Sequence, residues 1–265
     1  MLRSFALSIV ATVALSTSVI AADLVLVVGG TGRTGWPTVQ EALSAGYDVR
    51  ATTTNVKRAQ ERYGSEGFEW VEMDARILDE VRSAMDGVDY VISTIGGDCF
   101  DTGGPSSAQH VDYQAVVNMT GIALDKGVKQ LVLTSALGAG KPDQPLNQFC
   151  DNVQMWKWLG EDYIRDNSLP YTIVRPGALG DEEGGKVGLQ LAGAGTLETS
   201  FIQRADVARI LVASVGNKDA LSKTIAVGSD KEAGVDDWRN DFAGLPVDPR
   251  QIPPLTPAAA AARGG

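Results

Sequence analysis

The chain has only two cysteines, Cys99 and Cys150, and a single histidine, His110, among 265 residues. That scarcity implies no disulfide framework or cysteine-rich metal site and argues against a histidine-based zinc site or a Ser-His-Asp triad. The sequence alone favours two free thiols, with one bridge between them as the alternative. Basic charge is also short: 23 Lys and Arg against 33 Asp and Glu leave a formal net charge of −10. A nucleic-acid partner or an anionic membrane surface is therefore not expected. Long hydrophobic runs are missing except at the N-terminus. Residues 4–22 carry no charge and end in Val19-Ile20-Ala21-Ala22. This reads as a signal peptide over residues 1–22, with cleavage leaving no stable membrane span because Ser and Thr dilute a barely sufficient length. No twin-arginine pair accompanies it, since Arg3 stands alone. The expected compartment is the secretory or endomembrane lumen, with a plastid or another organelle as the alternative.

What is present begins at Leu24. Leu-Val-Leu-Val-Val (24–28) breaks into Gly-Gly-Thr-Gly-Arg-Thr-Gly (29–35), followed by a helix-compatible stretch from Trp36 to Ala45. An apolar strand, a glycine turn and a helix form the arrangement that a dinucleotide pyrophosphate needs. The first glycine permits the sharp turn, the second lets backbone approach the phosphates, and the third lets the helix pack close to the strand. The helix start supplies free N–H groups. Gly29, Thr31, Gly32, Arg33, Thr34 and Gly35 are the expected cradle.

Beyond it, strand-like and helix-like segments alternate. Strands are expected at 24–28, 47–53, 68–72, 88–94, 130–134, 171–174 and 224–227, and helices near 35–45, 56–63, 76–86, 107–126, 150–167 and 204–215. This predicts an α/β fold, a doubly wound parallel sheet of Rossmann type in one domain over residues 23–244. A glycine-rich stretch from Gly177 to Gly195 is expected to form loops or a small substrate-side annex. Residues 245–265 are rich in Pro and Ala and read as an extended or flexible tail.

Several polar residues fall at strand ends, where open α/β sheets hold ligands. The second strand runs into Thr52-Thr53-Thr54-Asn55 with no acid to bond a ribose 2′-hydroxyl. With Arg33, and with Lys57 and Arg58 nearby, this tilts the expected cofactor to NADP over NAD. Asp74 follows the third strand, where it either accepts from an adenine amino group or caps a helix beginning at Ala75. Thr94 and Gly96 close the fourth strand beside an expected ribose. Ser135 ends the fifth, with a turn serine as the alternative. The apolar faces of 107–126 and 150–165 serve either the core or a dimer.

Together these segments resemble a known family. Gly29–Gly35, Leu131-Val-Leu-Thr-Ser-Ala136, Lys157-x-x-x-Glu161-Asp162-Tyr163-Ile164-Arg165, Ser168-Leu-Pro-Tyr-Thr-Ile-Val-Arg-Pro-Gly177 and Ile202-Gln-Arg-Ala-Asp206 look like atypical short-chain dehydrogenase/reductases, within them the NmrA-like NAD(P)-binding group. The resemblance implies Ser135 and Lys157 as catalytic residues, with Lys157 also holding the nicotinamide ribose. It further implies a tyrosine four residues before the lysine as proton donor, but that position is Val153. Tyr113, Tyr163 and His110 are the candidate substitutes. Arg175-Pro176-Gly177 would form the turn beside the nicotinamide, and Trp156 and Trp158 line a substrate pocket or pack in the core. The expectation is an NADPH-dependent oxidoreductase acting on a small carbonyl or quinone-like molecule. A non-catalytic NADP-binding regulator or assembly factor is the alternative.

Overall fold

The computed structural model describes residues 22–249. The proposed signal segment and the end of the tail lie outside the described residues. The first strand, β1 (Leu24–Val28), sits in the middle of an eight-stranded sheet. On one side it pairs in parallel with β2 (Asp48–Thr53), which pairs with β3 (Glu69–Glu72). On the other it pairs with β4 (Tyr90–Ser93), then β5 (Gln130–Thr134) and β6 (Tyr171–Pro176), all parallel. The order β3-β2-β1-β4-β5-β6 is that of a doubly wound dinucleotide fold, and it reverses between β1 and β4.

Side chains alternate across β1. Val25 and Val27 face one apolar layer, Leu26 and Val28 the other, and all four are buried. A strand covered on both faces must be apolar throughout, which is why the run contains no polar residue. Helices α1 (Gly35–Ser44) and α2 (Val56–Tyr63) follow β1 and β2. Helix α3 (Leu78–Ala84) precedes β4, and α4 (Ala115–Lys126) precedes β5. Val116, Met119 and Ile122 of α4 are buried against Leu26, Leu131 and Ile173. The apolar face of 107–126 is therefore core.

The expected helix at 107–126 begins as a π-helical segment, Gln109–Gln114, running into α4. The expected helix at 150–167 is α6 (Val153–Arg165), and a short helix that the sequence reading did not expect, α5 (Leu146–Phe149), precedes it across a turn with Asp151 and Asn152 at φ 46° and 56°. The glycine-rich stretch holds strands that the sequence hides: β7 (Ala178–Gly180), β8 (Gly188–Gly193) and, beyond it, β9 (Phe201–Gln203). β7 and β9 pair as a small separate sheet. Helix α7 (Arg204–Ser214) then leads to β10 (Lys223–Asp230), which pairs in parallel with β6 and antiparallel with β8 at the sheet edge.

Two further findings bear on the sequence reading. Cys99 and Cys150 are joined in a disulfide, not free. Sequence separation hid this: β4 and β5 are neighbours, so the segments that follow them leave the same edge of the sheet and bring the two Cα atoms within 4.1 Å. Residues 245–249 are also held in place. The Asp248 carboxylate accepts hydrogen bonds from Tyr171 Oη at 3.0 Å, Thr224 N at 3.0 Å and Thr224 Oγ1 at 2.6 Å.

Candidate functional site

At the C-terminal edge of the parallel strands lie two cavities of about 500 and 870 Å³. Both are lined by Thr94, Ile95 and Gly96, so they form one continuous cleft over the point where strand order reverses.

The glycine loop floors the first cavity, and its three spaced glycines do different things. Gly29 has φ +81°, and a Cβ there would stand 2.8 Å from Ile95 Cγ2. At Gly35 a Cβ would overlap the Gly29 carbonyl oxygen. These two are required by the protein's own backbone. Gly32 is different: a Cβ there would meet only the Gly29 oxygen, at 3.1 Å, and Gly35 N, at 3.8 Å. Its bareness suits something outside the chain, and Gly32 lines the cavity. Helix α1 opens beside it with Thr34 as N-cap residue and no side chain capping the first turn, leaving amide donors for an anion. A pyrophosphate fits this cradle.

The end of β2 contributes Thr52, Thr53 and Thr54 to the same cavity, with no carboxylate among them. Asp74 lines it too, but its carboxylate is engaged by Arg76, whose Nε donates at 2.8 Å and whose backbone N–H donates at 3.0 Å. That hydrogen bonding with Arg76 holds the Asp74 carboxyl below the usual carboxylate range, against the opposing effect of burial. Asp74 does not cap a helix beginning at Ala75, since α3 starts at Leu78 after Ile77. Arg33 stands away from β2. It lines the second cavity, and its Nε donates to Asp181 at 3.1 Å.

Thr94, beyond β4, donates from Oγ1 to the Val28 carbonyl at 2.8 Å, tying β4 to β1 beneath the cleft. The following turn brings Gly96 close to Lys157, whose Nζ would lie 3.7 Å from a Cβ at that glycine.

Lys157 comes from the second turn of α6 and reaches into the second cavity. Its Nζ donates to Asp112 Oδ1 at 2.5 Å, and Asp112 Oδ2 accepts from Gly97 N at 2.9 Å. Asp112 is buried, on the π-helical segment. One carboxylate thus holds both the lysine and the loop passing over it. The sequence reading missed Asp112, although a signal existed. It shares a helical stripe with Ala115, Val116 and Met119, and an acid on an apolar stripe needs a buried partner. The π geometry, which sequence does not announce, aims it at the cleft.

Ser135 lines the second cavity at the end of β5, and its Oγ donates to Glu161 Oε1. Having one proton, already given to Glu161, the hydroxyl offers lone pairs to the cavity, so it accepts there. Glu161 is fully buried and is also bonded by Arg175 Nε at 2.8 Å and by Arg165. Arg175 therefore anchors β6 to α6, while Pro176 and Gly177 reach the cavity wall. Thr134 Oγ1 and Gln154 Oε1 are buried and lack hydrogen-bond partners, and both residues line this cavity. Unmatched polar atoms beside a cleft fit a site completed by a bound molecule.

Val153 lines the same cavity. Among the described residues, no tyrosine or histidine lines either cavity. His110 Nδ1 lies 3.0 Å from both Ser107 Oγ and the Gly104 oxygen, within its own loop. Tyr113 packs against Trp156 in a tilted pair, their ring centres 6.1 Å apart, Trp158 packs beside Gly140, and neither tryptophan lines the cleft. Asp206 is buried and accepts from Gly185 N at 2.7 Å, pinning the loop before β8.

Comparison with known proteins agrees with this geometry. A family model described as NAD(P)H-binding matches residues 29–218. The chain is 36% identical over 141 residues to sanguinarine reductase of Eschscholzia californica, a match covering 52% of this chain and 51% of that protein. It is 33% identical over 179 residues to Protein TIC 62, chloroplastic, of Pisum sativum, covering 59% of this chain and 33% of the pea protein. The chain thus spans only a third to a half of these two relatives. Among solved structures, a putative NAD-dependent epimerase/dehydratase from Bacillus halodurans superposes with a TM-score of 0.71 at 26% identity, covering 80% of this chain and 96% of that one.

Proposed function

Because the chain belongs to the NAD(P)H-binding family, we propose that it is an oxidoreductase using NADPH to reduce a small carbonyl or quinone-like acceptor. The resemblance to atypical short-chain dehydrogenase/reductases of the NmrA-like group holds at the level of family and fold. The observation that carries the proposal is the continuity of the two cavities across Thr94, Ile95 and Gly96, with Lys157 and Ser135 beyond that junction. A dinucleotide held by the glycine loop and by Lys157 would leave the 870 Å³ chamber beyond that junction for the acceptor. When bound, it supplies a hydride.

The chain's own residues bind and orient. Gly32 and the start of α1 receive the phosphates, and Thr52–Thr54 face the adenosine end. Lys157, held by Asp112, donates to a ribose hydroxyl, and Ser135 accepts from a ribose or substrate hydroxyl. Val153 transfers no proton, so the proton of reduction comes from water or from the acceptor itself. NADPH is preferred to NADH because β2 ends without a carboxylate, while Arg33 contributes only by leaving Asp181. For the compartment, the plastid alternative draws support from a relative named as chloroplastic, and a secretory lumen draws none from the relatives compared.

A second reading, an NADP-binding regulator without turnover, is favoured by Val153 and by the lack of tyrosine and histidine around both cavities. A panel of carbonyls and quinones incubated with NADPH separates the two. The oxidoreductase reading expects NADPH loss that falls about 10-fold or more, roughly 1.4 kcal/mol, in a Lys157→Met/Asp112→Asn variant. The double change avoids leaving Asp112 buried without its partner. Saturable NADPH binding with no loss across the panel would establish the regulator instead.

A further inference from the structure

The disulfide is part of the second cavity. Cys99 and Cys150 both line it beside Val153 and Lys157, and the bridge packs with Ala108, Val153 and Trp156 in a small apolar cluster apart from the two main core layers. It joins two irregular segments: the loop between β4 and the π-helical segment, and the turn between α5 and α6.

Little else ties these segments together. The loop is closed mainly on itself, through Asp98 N to the Ser106 oxygen at 2.7 Å and Ser106 N to Asp101 Oδ2 at 2.6 Å. Its hydrogen bond to the turn, Gly103 N to Asp151 Oδ2, is long at 3.4 Å. The turn is also irregular. Asp151 and Asn152 directly follow Cys150, and both adopt left-handed backbone, which Asp and Asn accept more readily than other non-glycine residues. Immediately after them α6 begins, with Val153 and Gln154 forming cavity wall and Lys157 one turn further on. A covalent tie thus holds an irregular turn at the root of the helix that shapes the chamber.

We propose that Cys99–Cys150 is a redox-modification site controlling acceptor binding in the second cavity, with a dithiol as its reductant. The attacking thiolate takes the less buried Cys99 Sγ, and Cys150 leaves as a thiolate and gains a proton. The reductant's second thiolate then displaces Cys99, leaving two protein thiols and an oxidised dithiol. Once the tie is cut, the turn at 150–152 relaxes and the wall at Val153 and Gln154 loosens. Lys157 stays on Asp112, and the glycine loop is untouched. Reduction therefore weakens acceptor binding and leaves dinucleotide binding unchanged.

The test uses the full chain, oxidised or treated with dithiothreitol and freed of excess reagent under nitrogen, with alkylation counting the thiols. Chymotrypsin is the first probe. Phe100 and Phe149, each next to a bridged cysteine, are 95% and 74% exposed, so backbone mobility and not exposure limits their cleavage. Reduction is expected to accelerate cleavage at both. It is also expected to raise KM for menadione about 5-fold or more while the NADPH Kd stays the same. A Cys99→Ser/Cys150→Ser variant should match the reduced protein with or without dithiothreitol. The inference is overturned if dithiothreitol leaves the native bond intact, if two thiols appear with cleavage unchanged, or if the NADPH Kd shifts alongside KM. The kinetic arm rests on the oxidoreductase reading. NADPH binding without turnover in either redox state defeats that reading, and the cleavage arm then decides this one.

Discussion

Gly32 and Gly35 stand three positions apart in one loop, and an added methyl finds different surroundings at each. At Gly35 it would collide with the Gly29 carbonyl, whereas at Gly32 its nearest neighbour is the same oxygen at 3.1 Å. Gly35→Ala is therefore expected to lower stability by about 3 kcal/mol or more, in the range of overpacked sites where rigid backbone must shift. Gly32→Ala should fold with little loss and still weaken NADPH binding at least 10-fold, since with the phosphates at Gly32, as proposed, the methyl would stand in their way. Urea midpoints and fluorescence titrations on both variants check the pair. Equal stability losses, or normal NADPH affinity in Gly32→Ala, would mean that the two glycines do not divide the work in this way. The sequence displayed the spacing of the loop plainly, but only the backbone separates the glycine that its own chain crowds from the one with an open side.

At the scale of elements, helix α6 is joined to β6 through one buried carboxylate. Glu161 receives Arg175 from β6 and Arg165 from its own helix, and takes the Ser135 proton as well. Glu161→Gln leaves the Arg175 guanidinium in a buried site without its counter-charge, while Arg165 keeps Asp248 at 3.5 Å, and breaking such a buried pair costs about 3–5 kcal/mol. A comparable drop in unfolding free energy by urea denaturation is the expected result. A loss under about 1 kcal/mol, typical of surface pairs, would show that the network is solvated. These elements also mark how far the sequence could be read. Strands β1 and β5 fall where the apolar runs placed them, because a strand buried on both faces leaves an unbroken hydrophobic signature. β8 lies in a glycine-rich stretch whose glycines answer to tertiary neighbours: a Cβ at Gly193 would meet Pro246 Cγ at 2.7 Å. The π-helical turn, which aims Asp112 at the cleft, could not be read for the same reason, although the acid itself stood out on an apolar stripe. The lysine could be read from its motif, but its partner depends on how two helices cross.

Across the whole molecule, acid acts through carboxylates that the fold has paired. Asp74, Asp86 and Asp89 are all held below the ordinary carboxylate range, chiefly by hydrogen bonds from Arg76, Lys126 and Lys129 respectively. A folded-state value below the unfolded one means that the unfolded chain binds protons first as pH falls. The stability from these pairs is complete above the unfolded value near 4 and is lost as pH falls through the lower folded values. Thermal unfolding is expected at a nearly constant temperature between about pH 5 and 7, dropping below about pH 4. Asp89→Asn, which removes one of the two carboxylates paired with Lys129 and the titrating group itself, should make that drop shallower. A midpoint that rises on acidification would contradict the assignment. The same fold-wide arrangement brings the strand ends together under one cleft, and the central claim is that this cleft binds a nicotinamide dinucleotide with its phosphates at Gly32. Titrating the full chain with NADPH and with NADH, followed by fluorescence, tests it most directly. The account predicts saturable binding, tighter for NADPH and abolished in Gly32→Asp; no saturable binding of either nucleotide, or normal NADPH binding by a folded Gly32→Asp variant, would contradict it.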